Sequence, residues 1–367
     1  MQRTGLSVKM EIFMINRKFI AAILIFLNCS LLYGAQSVVV YREEGKFCGW
    51  PANNGVWSWG DEILVGFEIG TYLYNPDGHS YDPNVPLESV QSRSIDGGVT
   101  WTLERPAALN SKKMQKQIER INFTHPDFAW KCINYKYWYS YDRGKNWFGP
   151  FKLPKMDQTG FDGRTDYIVK SQCESLFFIP VAKPDGKGSR SIVFNTTNGG
   201  GEFNFLSYVG PCPIIGRKSA NEYSTMPSTV KLSDGVYITA LRLATDTGTK
   251  RRWIDIYKST DDAKTWNYLS TAVTEKGWNP ASMIKLADGR ICITYGYRYD
   301  PKGMRAKISN DGGETWGDDV ILRSDGGTWD LGYPRTVQRT DGKVITIYYY
   351  NTDDNPQQYI AATLWWP

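Results

Sequence analysis

Histidine is almost missing from this 367-residue sequence, which holds only His79 and His125. A multi-histidine zinc centre is thereby excluded, and a Ser-His triad has two candidates at most for its base. Cysteine is sparse as well, with six residues at irregular intervals and no paired finger spacing. No apolar run reaches the roughly 20 residues of a membrane helix; the longest is Phe19–Leu27. An excess of one charge is also lacking. Of the formal +5, residues 1–35 supply +3 (Arg3, Lys9, Arg17 and Lys18 against Glu11), which leaves 39 basic and 37 acidic residues after them. A surface so balanced offers no electrostatic footprint for nucleic acid. What is plentiful is aromatic surface, with 14 Trp and 23 Tyr, and turn formers, with 35 Gly and 18 Pro. That composition excludes a disordered chain and a coiled coil, and it predicts short strands between many turns.

Arg17-Lys18, the run Phe19–Leu27, then Leu31-Leu32-Tyr33 and the small pair Gly34-Ala35 form a secretory signal pattern. Met10 and Met14 are alternative starts, and a lipoprotein through Cys29 is disfavoured by the bulky Asn28 before it. The expectation is a cleaved leader, residues 1–35, and a secreted or periplasmic mature domain, residues 36–367. Export permits disulfides, yet the mature part holds an odd set, Cys48, Cys132, Cys173, Cys212 and Cys292. Buried free thiols are expected.

Five segments repeat. Ser94-Ile-Asp96-Gly-Gly98-Val-Thr100-Trp101 recurs as Ser140–Trp147, Ser259–Trp266 and Ser309–Trp316, and in worn form as Thr196–Phe203. Their starts lie 46, 56, 63 and 50 residues apart, a period that belongs to propellers and solenoids. Within each copy the Asp carboxylate suits backbone N–H groups across a turn and Gly permits positive φ. These aspartates are therefore expected to be structural. A second mark precedes an apolar stretch in each unit: Trp50-Pro51, Met226-Pro227, Asn279-Pro280 and Tyr333-Pro334. Three of these stretches then reach Asp-Gly turns at 234–235, 288–289 and 341–342. Each unit thus reads as four antiparallel strands, and the predicted fold is all-β, a six-bladed β-propeller. Ser37–Tyr41 is predicted to pair with Tyr359–Trp365 and close the ring. Ser111–Arg120 interrupts the pattern as a short surface helix or loop, or as a basic lip over the substrate.

These repeats resemble the Asp-box sialidase superfamily over essentially the whole mature chain. The resemblance implies a pocket where the innermost strands enter, with three arginines for a substrate carboxylate, a Tyr–Glu nucleophile pair and an Asp acid/base. A planar guanidinium matches a carboxylate, and a neutral tyrosine is not repelled by it. Asp330-Leu-Gly-Tyr333-Pro-Arg335 is similar to the family's nucleophile context, which makes Tyr333 the nucleophile and sets Asp330 and Arg335 in the pocket. Arg242 resembles the second arginine, and Arg298 and Arg305 compete for the third. Where the family has Phe-Arg-Ile-Pro, this chain has Cys48-Gly49-Trp50-Pro51, so glycine replaces the first arginine. The lost contact is worth about 1.5–3 kcal/mol. Trp50 is either a sugar platform or core. The base glutamate is displaced to Glu222. For the acid/base, Glu68, Asp77, His79 and Asp82 are candidates on the stretch after the first inner strand. Arg164 and Asp166 form a further inner-strand pair that binds an acidic sugar or pairs with itself.

Three function classes stay open: a sialidase-like glycoside hydrolase on a glycan terminus, a carbohydrate-binding propeller without chemistry, and a lyase that removes a proton beside a uronate carboxylate. The expected partner is a glycan, with no cofactor, no metal, no nucleic acid and no stable membrane span, and the expected state is a monomer.

Overall fold

A computed structural model describes residues 34–117, 119–184, 188–210, 223–245, 251–274 and 280–367. The strand β1 (Gln36–Tyr41) comes first, and the rest follow blade by blade. Blade 1 holds β2 (Lys46–Gly49), β3 (Val56–Trp59), β4 (Glu62–Thr71), β5 (Glu88–Ser94) and β6 (Thr102–Glu104). Blade 2 holds β7 (Ala129–Ile133), β8 (Lys136–Ser140) and β9 (Phe148–Lys152). Blade 3 holds β10 (Tyr167–Val169), β11 (Ser175–Ala182), β12 (Ser189–Thr196) and β13 (Asn204–Val209). Blade 4 holds β14 (Tyr223–Ser233), β15 (Val236–Thr245), β16 (Arg251–Ser259) and β17 (Asn267–Val273). Blade 5 holds β18 (Ser282–Lys285), β19 (Ile291–Tyr297), β20 (Gly303–Ser309) and β21 (Val320–Arg323). Blade 6 holds β22 (Gly332–Gln338), β23 (Val344–Tyr350) and β24 (Tyr359–Trp365), and takes β1 as its outermost strand.

Strand alternation builds the ring. Along β23, Ile345 and Ile347 pack against Val65 and Phe67 of blade 1, while Val344 and Tyr348 pack against Cys292 and Met304 of blade 5. Successive side chains point to opposite faces, so each blade feeds two cores. An apolar cluster sits between every adjacent pair, from Trp57 and Trp138 between blades 1 and 2 round to Ile238 and Ile293 between blades 4 and 5. The ring closes where β1 pairs antiparallel with β24, Ser37 opposite Thr363, as the sequence predicts.

The repeated hairpins pin the rim. Ser94 Oγ donates to Asp96 Oδ1 at 2.8 Å, and Asp96 accepts the Thr100 N–H at 2.9 Å and its hydroxyl at 2.6 Å. These bonds, those from Thr100 first, hold the Asp96 carboxyl down at about 2. Three of the tryptophans tie a blade to the one before: Trp147 Nε1 donates to Gln91 Oε1 at 3.0 Å, Trp266 Nε1 to Ser207 Oγ at 3.2 Å and Trp316 Nε1 to Ser270 Oγ at 3.2 Å, whereas Trp101 bonds to Gly98 O of its own hairpin. Asp96→Ala is expected to lower thermal stability by roughly 1 kcal/mol, the scale of a lost side-chain cap. Thermal melts check it, and a variant of wild-type stability with altered turnover would contradict the structural assignment.

Two expectations need correction. Blade 2 has three strands, not four, among the described residues; the 3₁₀ turn Ala107–Asn110 leads into an irregular stretch that runs outside the blade, where the Gln115 N–H donates to Pro150 O. Cys48, Cys132 and Cys292 are buried free thiols, but Cys173 is exposed. Cys29 and Cys212 lie outside the described residues, as do residues 1–33.

Candidate active site

Three strand entrances share one distortion. Trp50, Met226 and Tyr333, each followed by proline, have φ of 60°, 59° and 49°. A bulky residue in the left-handed region is strained, and proline denies it the αR alternative. The ladders of β14 and β22 slip at the same places, between Thr225 and Ser228 and between Gly332 and Arg335. Such bulges re-aim a side chain. All three residues join one apolar cluster where blades 6 and 1 meet.

On the free edge of β7 lies a strap, Gly163–Asp166, where an innermost strand of blade 2 would run. The Asn134 N–H donates to Gly163 O at 3.0 Å, and the Cys132 N–H to Thr165 Oγ1 at 3.1 Å. A Cβ on Gly163 would stand 2.1 Å from Asn134 O, so only glycine permits this approach. The strap delivers Arg164 to the hub, where the side chain is 1% exposed. None of its three guanidinium nitrogens has a hydrogen-bond partner among the described residues. Burial pushes Arg164 down to about 9, the nearby Arg335 adds to this, and Asp166 and Tyr333 oppose it. Tyr333 is therefore within electrostatic reach of Arg164.

Burial likewise raises the Asp166 carboxyl to about 6 from its ordinary 3.8, against Arg335 and Arg164. The folded state binds that proton more tightly than the unfolded chain, so the penalty is full above about 6 and fades as pH falls toward 3.8. Asp166→Asn is expected to flatten the rise in stability with acidification across that window. Urea midpoints between about pH 4 and 7 measure it; an unchanged slope would show that Asp166 is not the titrating group.

Beside Tyr333 stands a dyad. His79 Nδ1 is 2.6 Å from Asp330 Oδ1, which also accepts the Tyr349 hydroxyl at 2.6 Å. Asp330 is 2% exposed and His79 28%. A carboxylate on Nδ1 fixes the neutral ring as the tautomer with its lone pair on Nε2. The His79 ring meets Tyr333 at 6.0 Å and Trp50 at 5.1 Å, both edge-on.

A cavity of about 590 Å³ opens alongside, lined by Arg164, Arg242, Glu68, Asn53, Tyr223 and Met226 among others. Arg242 rests over the Tyr223 ring at 5.2 Å, with Nη1 3.9 Å from Met226 Sδ. Burial raises the Glu68 carboxyl above its ordinary range, against the attraction of Lys131. Lys131 is itself pushed down to about 8 by burial, and its Nζ contacts Ser89 Oγ at 3.0 Å.

The structure thus brings together Arg164, Arg242 and Glu68 at the cavity wall, and groups Tyr333, His79 and Asp330 separately, the two sets meeting through Met226, which lines the cavity and packs against the Tyr333 cluster. Other expected site residues serve elsewhere. Arg335 reaches Ala52 O at 2.8 Å and Thr165 O, so it fastens the strap and the one-turn helix Pro51–Asn54 rather than a ligand. Arg298 donates to Leu331 O at 3.0 Å and underlies the Trp329 and Tyr333 rings. Arg305 holds the carbonyls of Pro301 and Arg323. Asp330 is engaged by His79, the Tyr349 hydroxyl and the Ser80 N–H. Trp50 is buried core, edge-on to the dyad. Asp77 is exposed, and Asp82 caps its own turn through the Asn84 N–H at 2.9 Å. Glu222 lies outside the described residues. The sequence reading missed Lys131 and Tyr223. A lone lysine within Ala129-Trp-Lys-Cys-Ile133 was the available signal for the first.

Residues 124–346 match a family described as the BNR repeat-like domain. No curated protein matches the chain. Among solved structures, a protein of unknown function from Dyadobacter fermentans superposes with a TM-score of 0.68 at 22% identity, covering 90% of this chain and 98% of that one. An α-L-arabinanase of Penicillium chrysogenum, complexed with arabinobiose, gives 0.57 at 11% identity, covering 89% and 98%. The NanB sialidase of Streptococcus pneumoniae gives 0.55 at 11% identity, covering 89% and 70%. At these identities the shared property is the fold.

Proposed function

The chain belongs to the BNR repeat-like domain family, and from that premise we propose that it is a secreted glycoside hydrolase acting on the acidic terminus of a glycan. One observation carries the reading: the Arg164 guanidinium, wholly buried at the cavity wall and unpartnered. A buried cation without hydrogen bonds is costly even with the Asp166 carboxyl nearby, and a carboxylate in the cavity offsets that cost through paired charge-assisted hydrogen bonds. Arg242 supplies a second cation on the same wall.

The neighbouring groups suit hydrolysis. Tyr333 is the nucleophile, neutral and so not repelled by a substrate carboxylate. His79, its tautomer held by Asp330, is the base for the phenol proton. Glu68, whose raised carboxyl favours the protonated form, gives its proton to the departing sugar oxygen. The leader is removed on export, and residues 36–367 work as one monomeric domain without a cofactor.

A panel of aryl glycosides tests this reading, with sialoside, uronide and neutral arms at equal concentration. Release from an acidic arm, and little from the neutral ones, is expected; release from the neutral arms alone would overturn the acidic assignment. The dyad also favours a second reading, proton abstraction next to a uronate carboxylate with cleavage of the adjacent C–O bond. An unsaturated, ultraviolet-absorbing product identifies that route, since hydrolysis leaves a saturated one.

A further inference from the structure

The hub cavity does not end at the ring axis. A second cavity of about 290 Å³ lies between blades 1 and 2 and shares Glu68, Leu87, Ile133 and Asn134 with the first. The two are therefore neighbours on either side of a shared wall. Its outer wall is the β7–β8 hairpin, where Tyr135 is 44% exposed and Lys136 Nζ stands 5.8 Å from the Tyr135 ring centroid. Its far side is the segment after the 3₁₀ turn, which brings Asn110, Ser111 and the exposed Lys112. Asn110 is fastened to the start of β5, accepting the Ser89 N–H at 2.8 Å and donating to Ser89 O at 2.9 Å. Lys112 therefore projects from an anchored turn.

The charge of this cleft is one-sided. Lys112 and Lys136 are on its wall, Lys131 lies beneath it against Ser89, and among the described residues Glu68 is the one acid lining it. An exposed aromatic ring beside lysines suits a sugar ring that stacks and carries negative charge. The volume is at the small end of ligand sites, which run from about 300 Å³ upward, and fits one residue rather than a chain.

We propose that this cleft is a second subsite that takes an anionic sugar, bearing a carboxylate or a sulfate, next in line to the residue held at the hub. The proposal rests on the glycan reading above and names what that reading leaves open: the substrate is charged at two successive sugars. Tyr135 stacks the ring, and Lys112 and Lys136 hold the anion.

Calorimetric binding to the mature chain tests it with three probes: trigalacturonate, which carries only carboxylates, a κ-carrageenan tetrasaccharide, which carries only sulfates, and maltotriose, which carries neither. One of the anionic probes is expected to bind at least about tenfold more tightly than maltotriose. The Lys112→Ala/Lys136→Ala pair is expected to weaken binding of that anionic probe by the same factor in wild type, where the hub arginines keep their own preference for an anion, and in an Arg164→Met background. Equal binding of all three probes, or an advantage untouched by loss of both lysines, would overturn the subsite. Lysine-dependent binding by a protein that releases no product from any arm of the aryl-glycoside panel would uphold the cleft while contradicting the hydrolase assignment.

Discussion

Tyr333→Phe is expected to fold with wild-type stability, bind an acidic glycan unchanged and lose at least ~10³-fold in kcat. The ring contacts survive the substitution, edge-on to His79 at 6.0 Å and to Tyr349 at 5.7 Å. The hydroxyl removed makes no hydrogen bond to any described residue, so its loss leaves no buried partner orphaned. What disappears is the oxygen that attacks, and with it the covalent step. Single-turnover kinetics beside an equilibrium binding measurement separate the two effects. A phenylalanine variant that turns over normally would take Tyr333 out of the mechanism.

The second large effect has opposite signs in stability and in function. Arg164→Met should raise stability by about 1–4 kcal/mol, because an unpartnered buried charge gives way to an apolar side chain of similar length. The same substitution should lower kcat/KM for an acidic substrate by about 100-fold or more, since a charge-assisted clamp is gone. Burial holds the guanidinium below its ordinary range, yet a guanidinium remains charged at neutral pH, so the penalty is present there. Denaturant melts at neutral pH read the gain directly. A destabilised variant at neutral pH would mean that Arg164 has a structural partner, and the functional argument would lose its main support. A stability cost held at the point of function is a recurrent pattern in sites that need charge in a dry place.

Much of the architecture is written locally. Ser94, Asp96, Gly98 and Thr100 satisfy one another within seven residues, so their hairpin is legible in any context. The pairs Trp50-Pro51, Met226-Pro227 and Tyr333-Pro334 marked the strand entrances because proline restricts the residue before it. Ring closure was legible too, since a strand-like start and a strand-like end had no other partner. The placement of two candidates was legible in part. The Gly-Tyr-Pro context singled out Tyr333 and scarcity singled out His79, and the fold sets their rings edge-on at 6.0 Å.

The remainder depended on contacts across long separations. His79 and Asp330 are 251 residues apart, and nothing local to either names the other. Arg298 and Arg335 share a residue type with Arg164, yet they donate to backbone carbonyls while Arg164 faces a cavity. The amino-acid order by itself determined the repeated blade, its turns and its closure, because those rest on φ preferences and bonds between near neighbours. Which charges became wall, fastening or reagent was decided only when six sheets met at one axis, for desolvation and partnership are properties of a place, and a place is made by the assembled ring.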